Sequence, residues 1–492
     1  MLLINPQFNR ADKLGPFARY VPVTLPMSIG TLASYLILKK KKAKILDEQV
    51  TQITKETVDD YLKDLSKPFI FGISCTTAAI ARGFEIAAML KKWYPGSKVI
   101  IGGIHPTVMP EEVLQNKNVD IVVKREGEEI LNRLYDAIKK GKDYSKIKGI
   151  SFKDKKGRII HNTLAPLFDD LDCLPQFPYN LFAEHLDKYH IGAIMSARGC
   201  PFNCIFCSQK LVSGGHYRFK SPEKVIEEIE LLLNKYKLRR IEFWDDNFVV
   251  NKERTKKLCK LIKENGLNKK AKFLCQTRGD AVDREILQHL KDAGFDVISF
   301  GLETTNERLL RILNKGETVE QNLRAVLLAK EMGFKVEATF ILGIPTETNE
   351  ERKEVIRKAL KLPLDFVRFN NATPYPGTKL YEMALKEKNL KVAKDWSNLN
   401  ACGSFVKGGN PGSLPYAPAT TTREELHRDI LRANLSFWLQ PKRILRIFLS
   451  GGVSGGWLSL PKRWYLKPRE VYCVSCLGAD MLKSILYAYV KS

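Results

Sequence analysis

The segment Ser196-Ala197-Arg198-Gly199-Cys200-Pro201-Phe202-Asn203-Cys204-Ile205-Phe206-Cys207 carries three cysteines in the spacing CxxxCxxC. Three thiolates on one tight loop suit three irons of a cubane iron–sulfur cluster, for which cysteine is the usual ligand. The fourth iron then has no protein ligand. An open coordination position is how a metal site admits a substrate. Phe202 and Phe206 interleave with the cysteines and offer apolar cover. A zinc site would need a fourth ligand in paired spacing, and no nearby Cys or His pair supplies one.

Downstream of this loop, strand and helix patterns alternate. A helix pattern near Pro222–Tyr236 leads to an apolar strand, Arg240–Trp244, which runs into Asp245-Asp246-Asn247-Phe248. More strands are expected at Lys272–Thr277 ending at Arg278, Val297–Leu302 ending at Glu303, and Val336–Leu342 ending at Gly343-Ile344-Pro345. A sixth, Phe366–Asn370, runs into Pro374-Tyr375-Pro376-Gly377. Six βα units between about 190 and 380 predict a partial, TIM-like (β/α)6 barrel. Polar residues at the carboxyl ends of barrel strands mark a functional rim.

Upstream, the first 140 residues read as five more βα units. Strands are expected at Leu2–Ile4, Ala43–Asp47, Phe69–Ser74, Lys98–Ile104 and Asp120–Lys124. Such alternation predicts an α/β, doubly wound, flavodoxin-like parallel sheet, with ligands beyond the strands' carboxyl ends. There, Ser74, Cys75, Thr76 and Thr77 bring short hydroxyl groups, and Gly102-Gly103 lets a ligand approach the backbone. His105 and Glu126 stand at the ends of the fourth and fifth strands. A bridging hairpin is expected around Ile147–Ile160.

These ordered motifs resemble radical S-adenosylmethionine (radical SAM) enzymes, in the group with an N-terminal cobalamin (B12)-binding domain. The resemblance extends over about 1–390. It implies a cobalamin-binding domain at 1–144, a linker hairpin at 145–187, a radical SAM barrel at 188–392 and a C-terminal extension at 393–492. It implies a [4Fe-4S] cluster on Cys200, Cys204 and Cys207 that cleaves SAM to a 5′-deoxyadenosyl radical. Phe206, Asp245, Arg278, Glu303, Gly343 and Ile344 would bind SAM, with Glu303 on the ribose hydroxyls and Arg278 on the carboxylate or on a charged substrate. Ser74, Thr76, Thr77, Gly102, Gly103, His105 and Glu126 would bind cobalamin. The chain has no DxHxxG sequence, so the lower cobalt ligand is not expected from that motif. Methyl transfer to carbon is the reaction implied. Oxidative cyclisation or ring rearrangement of a porphyrin or lipid-like substrate uses the same parts. A tRNA methylthiolase would need three further cysteines in the first domain, which has only Cys75. A cobalamin or iron–sulfur sensor is the non-enzymatic alternative.

After about residue 395 the strand–helix rhythm stops, and a mostly helical extension is expected, with one helix at Thr422–Leu439. Basic and aromatic residues interleave at Trp438–Phe448 and Trp457–Lys467, a pattern that suits a membrane surface, a nucleic-acid groove or an amphipathic helix on the barrel. Cys473-x-x-Cys476, with Cys402, reads either as a second cluster set or as plain buried thiols; Cys259 and Cys275 read as core. The chain has 492 residues, 44% hydrophobic and 27% charged, with a formal charge of +25, which excludes disordered and disulfide-stapled classes. The positive excess points to an anionic partner, and the basic, aromatic tail to a hydrophobic or anionic small-molecule substrate; the family resemblance implies an electron donor such as flavodoxin or ferredoxin. A nucleic-acid role rests on charge alone. No apolar run reaches the ~18 residues of a membrane span, so a cytoplasmic protein with reduced cysteines is expected, touching membranes at most peripherally. The candidate substrate-facing residues, unranked, are Tyr189, His190, His216, Tyr217 and Tyr375.

Overall fold

In a computed structural model, the described residues are 1–7, 23–399, 401 and 414–440. Along β1 (Leu2–Asn5), Leu3 enters one apolar core while Leu2 and Ile4 enter another. Side chains alternate with period two, so a strand apolar on both faces needs helices on both sides. After the short β2 (Val23–Thr24) come β3 (Lys44–Asp47), β4 (Ile70–Ser74), β5 (Lys98–Gly102) and β6 (Ile121–Val123). They pair in parallel in the order β3-β1-β4-β5-β6. The order reverses between β1 and β4, which opens a crevice at their carboxyl ends. This is the doubly wound sheet that the sequence predicts.

The hairpin expected as a bridge joins that sheet. β7 (Ile150–Lys153) and β8 (Ile159–His161) continue it, antiparallel, beyond β6. Alternation marks a strand without naming its neighbour. Here Ile150 and Phe152 bury in the core beneath β6 and set the pairing.

The following strands are β9 (Tyr189–His190), β10 (Ala193–Ile194), β11 (Ala197–Arg198), β12 (Arg218–Phe219), β13 (Arg240–Phe243), β14 (Lys272–Thr277), β15 (Phe295–Glu303), β16 (Lys335–Leu342) and β17 (Phe366–Asn371). Six of them form an all-parallel sheet in the order β10-β13-β14-β15-β16-β17, the partial barrel. Phe243, Phe273, Phe295, Phe300 and Phe369 pack with the covering helices in one core. That core also takes Leu25, Ile29 and Leu36 from the first domain, so apolar packing is continuous between the two sheets. Barrel helices begin where the sequence supplies a cap. Ser221, Asn251, Asp283, Thr318 and Thr348 each accept a backbone N–H of the first turn, a contact that contributes about 1 kcal/mol.

Helix Arg423–Trp438 is capped by Thr422, as the Thr-x-x-Glu pattern predicts. It lies on the outer edge of β17. Phe369 N–H donates to Asn434 Oδ1 at 3.1 Å, and Asn434 Nδ2 donates to Phe369 O at 3.0 Å. One side-chain amide thus replaces a neighbouring strand. Among the described residues, no helix is long and apolar enough to cross a membrane. Cys402, Cys473, Cys476 and the basic–aromatic stretches from residue 441 onward lie outside the described residues.

Candidate active site

The cysteine loop is shaped before any metal is considered. Gly199 has φ +89°, and a Cβ there would stand 2.1 Å from His216 O. Only glycine fits, so the chain can double back tightly ahead of Cys200. Ile205 N–H donates to Leu313 O at 3.0 Å, and Leu380 N–H donates to Ile205 O at 2.9 Å. Asn314 Nδ2 donates to Asn203 O at 2.9 Å. These anchors follow β15 and β17, so the loop is tied across the carboxyl-end mouth of the barrel. Cys200 and Cys204 are half-buried and Cys207 is exposed; none is in a disulfide. Desolvation raises all three thiols, Cys204 up to about 12. Iron binding would therefore have to displace protons from neutral thiols. Among the described residues, no three His, Cys, Asp or Glu side chains converge on a single-ion site. A cubane asks for something else, one thiolate on each of three separate irons, and the loop's donor set fits that.

The rim residues divide into those that face the loop and those that hold it from behind. Asp245, expected to line the SAM pocket, turns backward. Its buried carboxylate accepts from Ser196 N at 2.6 Å, Ala197 N at 2.9 Å and the Ser196 hydroxyl. Burial pushes it up to about 6. Its neighbour Asp246 is exposed and takes the forward place, accepting from Gly199 N at 3.3 Å and Gln209 Nε2 at 2.6 Å. Arg278 follows β14 directly. Its guanidinium donates to Asp280 at 2.9 and 2.8 Å and to Lys315 O at 2.6 Å, and lies 3.5 Å over the Phe202 ring. With those donors engaged, it props the loop and has little left for a SAM carboxylate.

Glu303 keeps its expected place. It follows a bulge against β16, at φ +61°, a region few side chains adopt outside functional sites. Its carboxylate is buried, 3.5 Å from Lys315 Nζ, and close enough to Cys204 and Cys207 to raise both thiols. Burial also raises Glu303 itself. Lys315 and Glu317, 2.8 Å apart, escaped the sequence reading because they follow a helix and not a strand. Gly343, at φ +81°, donates its N–H to Glu347 at 2.6 Å, and Leu426 of helix Arg423–Trp438 fills the space a Cβ would need. The Ile344 side chain is fully buried in the core, so only its backbone remains for a ligand. Phe206 is half-buried beside the same core. Tyr189 donates to Asp47 at 2.7 Å and is buried between the domains, so it does not face a substrate.

At the strand ends of the first sheet, Ser74, Gly102 and Gly103 are half-exposed and Thr76 is exposed. Gly103, at φ +108°, lets Cys75 backbone pass where a Cβ would stand 2.5 Å from its oxygen. This edge of hydroxyls and bare backbone fits a large flat ligand. Thr77 is buried and lies off that edge. His105 is turned inward. Its ring is fully buried, edge-on to Trp396 at 5.1 Å and 3.6 Å from Glu112, which also accepts from Trp396. It is thus packed against protein partners and turned away from solvent. Glu126 is engaged by Arg218, with two contacts of 2.9 Å, and by Arg198 at 3.2 Å. These arginines flank the cysteine loop. Helix Gln209–Ser213, just past Cys207, packs on Ile104–Val108, and Arg125 donates to Leu211 O at 3.2 Å. The cysteine loop therefore sits against the carboxyl ends of β5 and β6.

Residues 194–359 match the Radical SAM superfamily, and residues 18–135 match the B12 binding domain. A protein of Pyrococcus horikoshii named uncharacterized methyltransferase PH0819 is 33% identical over 427 residues, 86% of this chain and 89% of that protein. The anaerobic magnesium-protoporphyrin IX monomethyl ester cyclase of Cereibacter sphaeroides is 28% identical, over 89% of this chain and 74% of its own. The radical S-adenosylmethionine methyltransferase TsrM from Kitasatospora setae, solved with cobalamin and a [4Fe-4S] cluster bound, superposes with a TM-score of 0.71 at 17% identity. It covers 90% of this chain and 89% of TsrM.

Proposed function

Because this chain belongs to the radical SAM superfamily, with a B12-binding domain ahead of the radical barrel, we propose that it transfers a methyl group from SAM to carbon of a small-molecule substrate. Its cofactors are a [4Fe-4S] cluster, SAM and cobalamin. When bound, the cluster supplies the electron that cleaves SAM, and cobalamin supplies a methyl carrier. Cys200, Cys204 and Cys207 would hold the cluster. Glu303, the Gly343 and Ile344 backbone and Phe206 would line the SAM site, with Asp246 fixing the loop beside it. Ser74, Thr76, Gly102 and Gly103 would border cobalamin. The division into a cobalamin domain at 1–144 and a barrel at 188–392 goes with this reading, the hairpin being counted with the first sheet.

One observation carries the proposal. The cysteine loop is tied across the barrel mouth and also seated at the carboxyl ends of β5 and β6. Two cofactors that exchange a methyl group and a radical on one substrate need such nearness. The charge of +25 supports an acidic electron donor of the flavodoxin or ferredoxin kind and an anionic substrate, and the cofactors' chemistry suits a reducing, cytoplasmic setting.

The similarity to a cyclase favours a second reading, oxidative ring closure on a porphyrin-like substrate. One assay separates them. The anaerobically reconstituted enzyme, with reductant and SAM labelled in its methyl group, is incubated with a small-molecule extract. Label in a new product is expected. A new product without label would replace methyl transfer with the cyclase reading.

A further inference from the structure

The stems of the cysteine loop carry an internal conflict. β11 and β12 form a two-stranded antiparallel ribbon whose register sets Arg198 directly opposite Arg218. Like charges in that position repel. Both side chains are largely withdrawn from water, Arg218 to 7% exposure, so solvent does little to screen them. Left alone, the ribbon would splay at the point where the loop leads to Cys200.

The opposing charge comes from the other domain. Glu126 and Glu128 follow β6, and their side chains are 8% and 4% exposed. Glu126 accepts from both terminal nitrogens of Arg218 at 2.9 Å and stands 3.2 Å from Arg198. Glu128 accepts from Arg198 at 2.6 Å. Phe168 completes the set, its carbonyl accepting from Arg218 at 2.9 Å and its N–H donating to Glu126 at 3.2 Å. Two cations and two carboxylates balance: Arg198, Arg218 and Glu126 each make more than one contact, and Glu128 makes its one to Arg198. Elsewhere the two domains are joined by a continuous apolar core and by the Tyr189–Asp47 bond. The fold therefore has other attachments, whereas among the described residues the paired stems of the loop draw their opposite charge from this source.

We propose that Glu126 and Glu128 are positioning residues for the iron–sulfur loop, so that cluster assembly in the barrel depends on carboxylates supplied by the cobalamin-binding domain. This rests on the reading of Cys200, Cys204 and Cys207 as cluster ligands.

The test compares wild type, Glu126→Gln and the double variant Glu126→Gln/Arg218→Met in the full chain. Each is reconstituted anaerobically with iron, sulfide and hydroxocobalamin. Iron and cobalt are counted, and the reduced cluster is followed by electron paramagnetic resonance. Glu126→Gln leaves two buried arginines facing one glutamate. Its iron content and cluster signal are expected to fall several-fold, with cobalt uptake near wild type and a cooperative melting transition retained. The double variant leaves one arginine facing one glutamate, and is expected to regain most of the iron. Wild-type iron content in Glu126→Gln would overturn the proposal. So would joint loss of iron, cobalt and the cooperative melting transition, or failure of the double variant to recover. A wild-type chain that takes up no iron would overturn the cluster reading itself, and this inference with it.

Discussion

At the residue scale, a side chain's type says what it can bind and its neighbours decide whether it is free to do so. Three cysteines in CxxxCxxC were legible because the spacing alone confines them to one loop. Glu126, Arg278 and Asp245 were legible as polar groups at strand ends, and their occupation was not. Partners lie 92 residues away for Glu126 and 49 for Asp245, which no local pattern encodes, while Arg278 pairs with Asp280 two residues on and with Lys315 O 37 residues on. Glycine is the opposite case, since its role follows from what a side chain would strike. Replacing Gly199 with alanine drives a Cβ into His216 O and imposes an unfavourable φ. The expected result is loss of most of the iron taken up on anaerobic reconstitution, with cobalt uptake unchanged. Wild-type iron in Gly199→Ala would show that the loop relaxes around the methyl group.

At the element scale, the alternating runs predicted both sheets, because apolar strands between amphipathic helices have few other ways to be covered. The pairing of the hairpin with β6 was not legible, since period two gives a strand its faces and not its neighbours. The edge of β17 shows a related device. Asn434 satisfies the backbone N–H and carbonyl of Phe369 from a helix, where a closed barrel would use another strand. Asn434→Ala leaves both groups buried and unpaired, which costs about 1–3 kcal/mol. Urea unfolding should show that loss in the midpoint. An unchanged midpoint would mean that water replaces the amide.

At the scale of the whole molecule, helix Arg423–Trp438 is bound to the barrel rim through buried charge. Arg352 is fully buried and donates to Asp429 at 2.7 Å, and the nearby Glu347 accepts the Gly343 N–H. Burial pushes Glu347 from 4.5 up to about 8. A carboxyl raised in the folded state holds its proton more tightly there than in the unfolded chain. Its favourable contribution is therefore complete below 4.5 and is lost as pH climbs to about 8. Melting temperature measured from about pH 5 to about pH 9 should fall less steeply in Glu347→Gln than in wild type. Parallel slopes would show that Glu347 is already ionised in the folded protein.

The four-charge clamp also has an order in time. Glu126 and Glu128 leave the ribosome 92 and 70 residues ahead of their respective partners Arg218 and Arg198, and domains generally fold as units from the N-terminus. The acidic seat is thus built while the basic stems are still being synthesised. A nascent cysteine loop emerges beside a surface already charged to receive it. The first domain then serves the second as a template during birth, before either has a cofactor to share.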